Sequence, residues 1–235
     1  MLDEIDAVDW DSIPGHPDWY EPDRAARGLR ALSEAANLVQ AAEAGSQLGG
    51  GGIVHGHSGA VFPAAVVATP LLLDIAQRCH PAAQDTVLGL LDEALSCYPH
   101  VGYTRVAAPD STAAPICCGI AHHLRDRADF LVGLGKRGRS LLAHAATHWR
   151  FEMRECVADS GGTAAFGVLA GCLPDGVHAA EMHLAGAITV LSGLTLEYPP
   201  AKGSLEACLR VIARHPGELP PGAVLFAAEC GDRVH

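Results

Sequence analysis

The stretch from His57 to Ser96, HSGAVFPAAVVATPLLLDIAQRCHPAAQDTVLGLLDEALS, constrains the fold more than any other part of the chain. It reads as two apolar helices joined by a tight corner at Cys79-His80-Pro81. Ser58 can cap the first helix and Pro81 opens the second. Val87, Leu91, Ala94 and Leu95 then form one stripe before Pro99 ends it. Pro70 removes a donor and clashes with the carbonyl of Val66, which predicts a kink or a break there. Helix pairs this rich in Ala and Leu must bury a face against neighbours, so they imply a stack of helices.

The rest of the chain is read on the same period. Glu21-Pro22-Asp23 starts a helix that carries Leu29, Leu32, Ala36 and Val39 and stops at Gly45. Gly49 to Gly52 is expected to be a mobile loop. Residues 98–115 read as an irregular loop gathering Tyr98, His100, Tyr103 and Arg105. Ile116 to Leu134 is a helix with a break near Arg127. Ser140 to Val157 is the strongest amphipathic helix, with Leu142, Ala146, Trp149 and Met153 on one face. Further helices are predicted over Thr163–Leu173, Val177–Leu191, Ser204–Arg214 and Val224–Cys230. No sustained polar and apolar alternation argues for a sheet. An apolar share of 49% with only 5% aromatics fits close helix packing better than a β-sandwich.

The net charge is −11, and eight carboxylates from Asp3 to Asp23 precede the first basic residue, Arg24. An acidic arm over residues 1–20 is therefore expected, followed by one domain over 21–235. Such a leader repels phosphate backbones, which disfavours nucleic acid as a partner. No basic and apolar leader opens the sequence, and the apolar run Ala60–Leu73 is cut by Pro63 and Pro70. A soluble, cytoplasmic protein with reduced thiols and no membrane contact is the expectation.

His57-Ser58-Gly59 with FPAAVVATPLLLDIA, then RSLLAHAATHW and TAAFGVLAGCLPDG, resemble HEAT-like repeat proteins of the form common in bacteria. The resemblance covers residues 21–192 and is weakest after 192. It implies an all-α fold, a right-handed armadillo-type α-solenoid of HEAT-like antiparallel helix pairs. It also implies recognition of a protein partner on a concave face, in an immunity-like or regulatory role. Di-iron hydroxylases of that architecture use His-Glu pairs, and this chain has none. The DNA-repair glycosylases use a basic groove. Here Arg125, Arg127, Lys136, Arg137 and Arg139 are interrupted by Asp126 and Asp129, which leaves nucleic-acid repair a weaker alternative.

The chemistry-bearing residues give a second alternative, a small-molecule binder or an enzyme of specialised metabolism with a histidine-rich pocket. His144 and His148, spaced i, i+4, could chelate a divalent metal with a third ligand from His55, His57, His122 or His123. No Glu stands between them, because residue 145 is Ala, and the expectation is no cofactor, with a divalent metal as the alternative. His55 and His57 flank Gly56 before a helix start, where free N–H groups favour an anion. They form the candidate ligand site together with Tyr103, Arg105 and Trp149. Cys118 and His122 are also i, i+4, although Cys117 and Cys118 read more simply as buried, inert thiols. Asp92, Glu93, Glu152 and Glu155 look like solvated charge. No nucleophile elbow, phosphate loop or zinc-protease signature occurs, so no catalytic residue is assigned.

Overall fold

A computed structural model describes residues 1–107, 113–159, 161–212, 219–232 and 234. Its first part is helical. After α1 (Leu2–Asp6) come α2 (Pro22–Glu34), α3 (Leu38–Gly49), α4 (Ala64–Arg78), α5 (Pro81–Ser96), α6 (Ile116–Asp126), α7 (Ala128–Gly133) and α8 (Lys136–Thr147). The helices pair as α2 with α3, α4 with α5 and α6 with α8, and α2, α4 and α6 pack in one row. Leu29, Leu32, Leu72, Leu73, Ile75 and Leu91 fill the space between them. Short strands β1 (Val54–His55), β2 (Ala60–Val61) and β3 (Tyr98–Pro99) form a small sheet at one edge. An antiparallel hairpin of β4 (Arg105–Ala107) and β5 (Ala113–Pro115) leads into α6. Residues 108–112 of the expected 98–115 loop lie outside the described residues.

Past Trp149 the helices stop. Strands β6 (Arg150–Asp159), β7 (Gly162–Ala170), β8 (His178–Leu184), β9 (Ala187–Tyr198), β10 (Glu206–Val211) and β11 (Val224–Ala227) close into a six-stranded antiparallel barrel. Its order is β10-β7-β6-β11-β8-β9, and a short α9 (Ala228–Asp232) follows β11 directly. The all-α solenoid is therefore overturned. The chain is a mixed α/β protein, and the HEAT-like, armadillo-type identification fails with the solenoid.

Each local correction has a physical cause. In β6 the residues Phe151 and Met153 are buried while Glu152 and Arg154 face out, a period of two. The apparent helical stripe from Leu142 to Met153 is a coincidence of spacing across the boundary between α8 and β6. The expected helix over 163–173 is β7, that over 177–191 is β8 with the start of β9, and that over 204–214 contains β10. Residues 213 and 214 of that last segment lie outside the described residues. Only the end of the 224–230 segment is helical. The helix expected to run from 21 to 45 divides, because the Asn37 side chain accepts from the N–H groups of Val39 and Gln40, at 3.0 Å each, and caps α3. Pro70 does not break α4, which runs from Ala64 to Arg78.

The glycine run is packed. Gly51 and Gly52 are buried, the Gly51 carbonyl accepts from Glu21 N–H, and a Cβ on Gly51 would meet the Trp19 carbonyl at 2.8 Å. The acidic first 20 residues are anchored: Ile5 and Trp10 are buried, Tyr20 Oη donates to the Trp10 carbonyl at 2.9 Å, and Arg30 pairs with Asp6. No helix among the described residues is long and apolar enough to cross a membrane.

The β8–β9 hairpin turns on two residues, Ala185 and Gly186, at φ 49° and 83°. Both central residues of such a turn need the left-handed region, which costs an alanine about 1–2 kcal/mol and suits Asn-Gly best. Ala185→Asn is expected to stabilise the fold by about 0.5–1 kcal/mol, a rise in melting midpoint of roughly 1–4 °C for a chain of this size. Calorimetric melting checks it, and an unchanged or lower midpoint would contradict the turn assignment.

Candidate functional site

Three ends of helix meet where the helical part touches the barrel. Pro115 sets the start of α6 and places Cys117 and Cys118 in its first turn. His148 leaves the helical conformation at the end of α8, with ψ 65°, and turns its ring inward. Barrel closure brings α9 back over α6, and with it Cys230. The ligand-capable atoms of Cys117, His148 and Cys230 all lie within 4.8 Å of one another. His148 Nδ1 stands 3.4 Å from Cys230 Sγ, and Cys118 hydrogen bonds to both other thiols. All four side chains are buried, His148 at 4% exposure, and the thiols are free. His148 Nε2 is buried with no hydrogen-bond partner.

The thiols share their protons unequally. Hydrogen bonds from Cys118 and Cys230, helped by His148, hold Cys117 well below the ordinary thiol range against the cost of burial. The same contacts push Cys118 well above it, and the bond to Cys117 raises Cys230 too. Beneath the cluster, Arg125 Nη1 donates to the carbonyls of Ala145 and His148 at 3.1 and 3.2 Å, satisfying the end of α8.

Next to the thiols runs an ion pair with a buried carboxylate and a partly exposed guanidinium. The Arg105 guanidinium on β4 donates to the Glu181 carboxylate on β8, whose other oxygen meets His183 Nε2 at 3.0 Å. The His183 ring stands edge-on to Phe226, with centroids 5.0 Å apart. Gly231 of α9 lies against this carboxylate, since a Cβ there would come within 1.6 Å of Glu181 Oε1. Consecutive residues of α9 thus close over the thiols and over the ion pair.

Beside both lies a cavity of about 540 Å³. Val66, Val67 and Pro70 of α4, Val106, Ala107 and Ala114 of the hairpin, and Phe226 of β11 give it an apolar wall. Cys118, Gly119, His122, His123 and Arg150 complete the lining. A Cβ on Gly119 would approach Val66 to 3.0 Å, so the glycine lets α6 sit close to α4.

The sequence candidates are distributed over several places. His55 stacks on Trp19 with centroids 5.9 Å apart, and its Nδ1 lies 2.8 Å from Ser58 Oγ. His16, His100 and Tyr103 extend this ring cluster, so His55 and Tyr103 share one surface. His57 is exposed on the same turn. Arg105, two residues past Tyr103, engages Glu181 instead of this cluster, and Trp149 is in the core at 2% exposure. The rings of His144 and His148 are 5.7 Å apart, but His144 Nδ1 engages Asp92 at 2.9 Å while His148 joins the thiols. His122 pairs with Asp126, not with Cys118. Cys230, Glu181, His183 and Phe226 were missed as site residues. Their segments read as helix, and nothing local ties Cys230 to a cysteine pair over a hundred residues earlier. No family model matches this chain, and neither does any curated protein or solved structure.

Burial, and secondarily the charge of His122, hold His123 below the ordinary imidazole range, with Asp126 acting the other way. Arg150 lies in the same wall. A base depressed in the folded state binds protons more readily when unfolded. Its contribution to stability is complete above the unfolded value of about 6.5 and is lost as the pH falls through the folded one. Urea unfolding from pH 7 downwards is expected to show a shallower loss of stability for His123→Asn than for the unaltered chain. Equal slopes would contradict the burial of this imidazole.

Proposed function

We propose that the protein binds a small organic molecule with an apolar body and an anionic head in the cavity between α4, α6, the β4–β5 hairpin and the barrel. The supporting observation is the lining. A volume of about 540 Å³ lies within the range of ordinary ligand sites, and valines, alanines, Pro70 and Phe226 share its wall with His122, His123 and Arg150. Apolar contact supplies the bulk of the affinity, at roughly 25 cal/mol per Å² removed from water before the costs of ordering. Arg150, tied to Glu152 at 3.3 Å, places a guanidinium charge in the wall that an anionic head can meet. The thiol–imidazole contact of Cys230 with His148 lies outside the lining of this cavity, so the proposal is binding and not catalysis.

Calorimetric titration with a panel of medium-chain and aryl carboxylates, each beside its alcohol, tests this. Saturable binding of a carboxylate is expected. Arg150→Gln should weaken it about tenfold, the worth of one charge-assisted hydrogen bond, and leave the matching alcohol unchanged. Val67→Trp, at the open side of the cavity, should weaken both. No saturable binding by any member of the panel, or binding indifferent to Val67→Trp, refutes the proposal.

Recognition of a protein partner is a second reading, and the barrel surface favours it. Phe166 and Tyr198 are 42% and 64% exposed and flank a shallow depression bordered by Arg154, Glu155 and Glu206. With a net charge of −11, the protein would attract a basic partner. Replacing both aromatics by Ser is expected to abolish recovery of a bound partner while leaving carboxylate binding unchanged. Equal recovery by both forms would remove this reading. Three of the five basic residues weighed for nucleic acid are engaged within the chain: Arg127 with Asp74, Arg137 with Asp85 and Arg125 with backbone carbonyls.

A further inference from the structure

The buried thiols and imidazole are not needed for carboxylate binding, and their donor set has its own chemistry. We infer that Cys117, Cys230 and His148 form a site for one zinc ion that fastens α9, and with it the end of the barrel, to the helices α6 and α8.

Geometry supports this first. In a tetrahedral zinc site with Zn–S near 2.3 Å and Zn–N near 2.0–2.1 Å, two ligating sulfurs stand about 3.8 Å apart and a sulfur and a nitrogen about 3.5 Å. The three candidate atoms fall within 4.8 Å of one another, and His148 Nδ1 is 3.4 Å from Cys230 Sγ. An ion would draw the sulfurs in by an ångström or less, within the reach of side-chain rotation. The donors come from three separate elements, so this is a convergence made by tertiary folding and not a helical accident.

Chemistry supports it independently. Two thiols with one imidazole are the soft and borderline donors that select zinc over magnesium or calcium. The thiols are free, the state in which they can ligate. The site is polar but buried, and His148 Nε2 has no hydrogen-bond partner at 4% exposure of the residue. His148 Nδ1 faces Cys230 Sγ at 3.4 Å, and an ion between the two would bond that nitrogen directly, while Nε2 keeps its proton with or without the metal. Cys118, buried beside them, carries one S–H that can donate to one of the bound sulfurs. Binding exchanges protons for metal: whatever protons the Cys117 and Cys230 sulfurs still carry are released to water as two Zn–S bonds and one Zn–N bond replace waters of the hydrated ion.

The experiment uses the full chain, stripped of metal by chelator and then given zinc alone. One zinc per chain is expected by elemental analysis after desalting, with a rise in melting midpoint on zinc addition. Mass-spectrometric mapping of iodoacetamide labelling should show Cys117 and Cys230 slowed at least roughly tenfold by zinc, because a bound thiolate is withdrawn from attack. The exposed Cys172 should label at the same rate with or without it. Cobalt in place of zinc should give a thiolate charge-transfer absorption that is lost in Cys230→Ala and in His148→Ala. The labelling comparison needs no variant, so it stands even if those two chains fold poorly. Zinc retained without protection of Cys117 and Cys230 would mean capture by surface histidines and would overturn the site. Retention of less than about a tenth of an equivalent after zinc loading would overturn it as well, since buried Cys/His sites hold zinc through desalting.

Discussion

Backbone pairing of β11 with β6 on one side and β8 on the other closes the barrel, and everything at the junction depends on that closure. All four residues of β11 are buried, with Leu225 and Phe226 alternating along the strand. A strand buried on both faces has the barrel core on one and another layer on the other. Here Phe226 reaches the wall shared with α4 and α6. Because α9 follows without a spacer, the same pairing places Cys230 on α6 and Gly231 on Glu181. Strand register thus fixes, at one stroke, the cavity wall, the thiol cluster and the ion pair.

The ion pair is costly to maintain. The Glu181 carboxylate, at 4% exposure, forfeits several kcal/mol on leaving water, while Arg105 at 25% keeps part of its hydration, and their attraction offsets the cost only when the geometry is good. Glu181 meets the requirement by accepting from Arg105 and contacting His183, while Arg105 Nε remains buried without a partner. Such a pair is weak evidence for stability and better evidence for uniqueness of docking. It joins the β4–β5 hairpin to β8 across a long stretch of chain, and a slipped register would leave a naked charge in the interior.

The helical part was legible because its signals are local. Pro81, the break near Arg127 and the Ala- and Leu-rich stripes of α4 and α5 act within a few residues, and the structure shows helices over each. The barrel was not legible for a definite reason. Segments such as TAAFGVLA and HAAEMHLAGA are built from Ala and Gly, whose small side chains suit helix corners and narrow barrels alike. Ala165 and Ala180 fill space inside the barrel without the β-branched bulk that marks a strand. RFEMRE did alternate, and ITVLSGLTL is β-branched, but the stronger apparent stripe through Trp149 masked the first. Of the site, Cys117, Cys118 and His148 were visible as donors. Their partner was not, because Cys230 reaches them only through barrel closure.

Gly231 carries a further consequence. Its Cα faces Glu181 with no room for another carbon, while the preceding residue supplies Cys230 to the thiols. One peptide unit thus stands between two polar clusters. A side chain at position 231 would displace Glu181 and, through its bond to Arg105, the hairpin whose Val106, Ala107 and Ala114 form one side of the cavity.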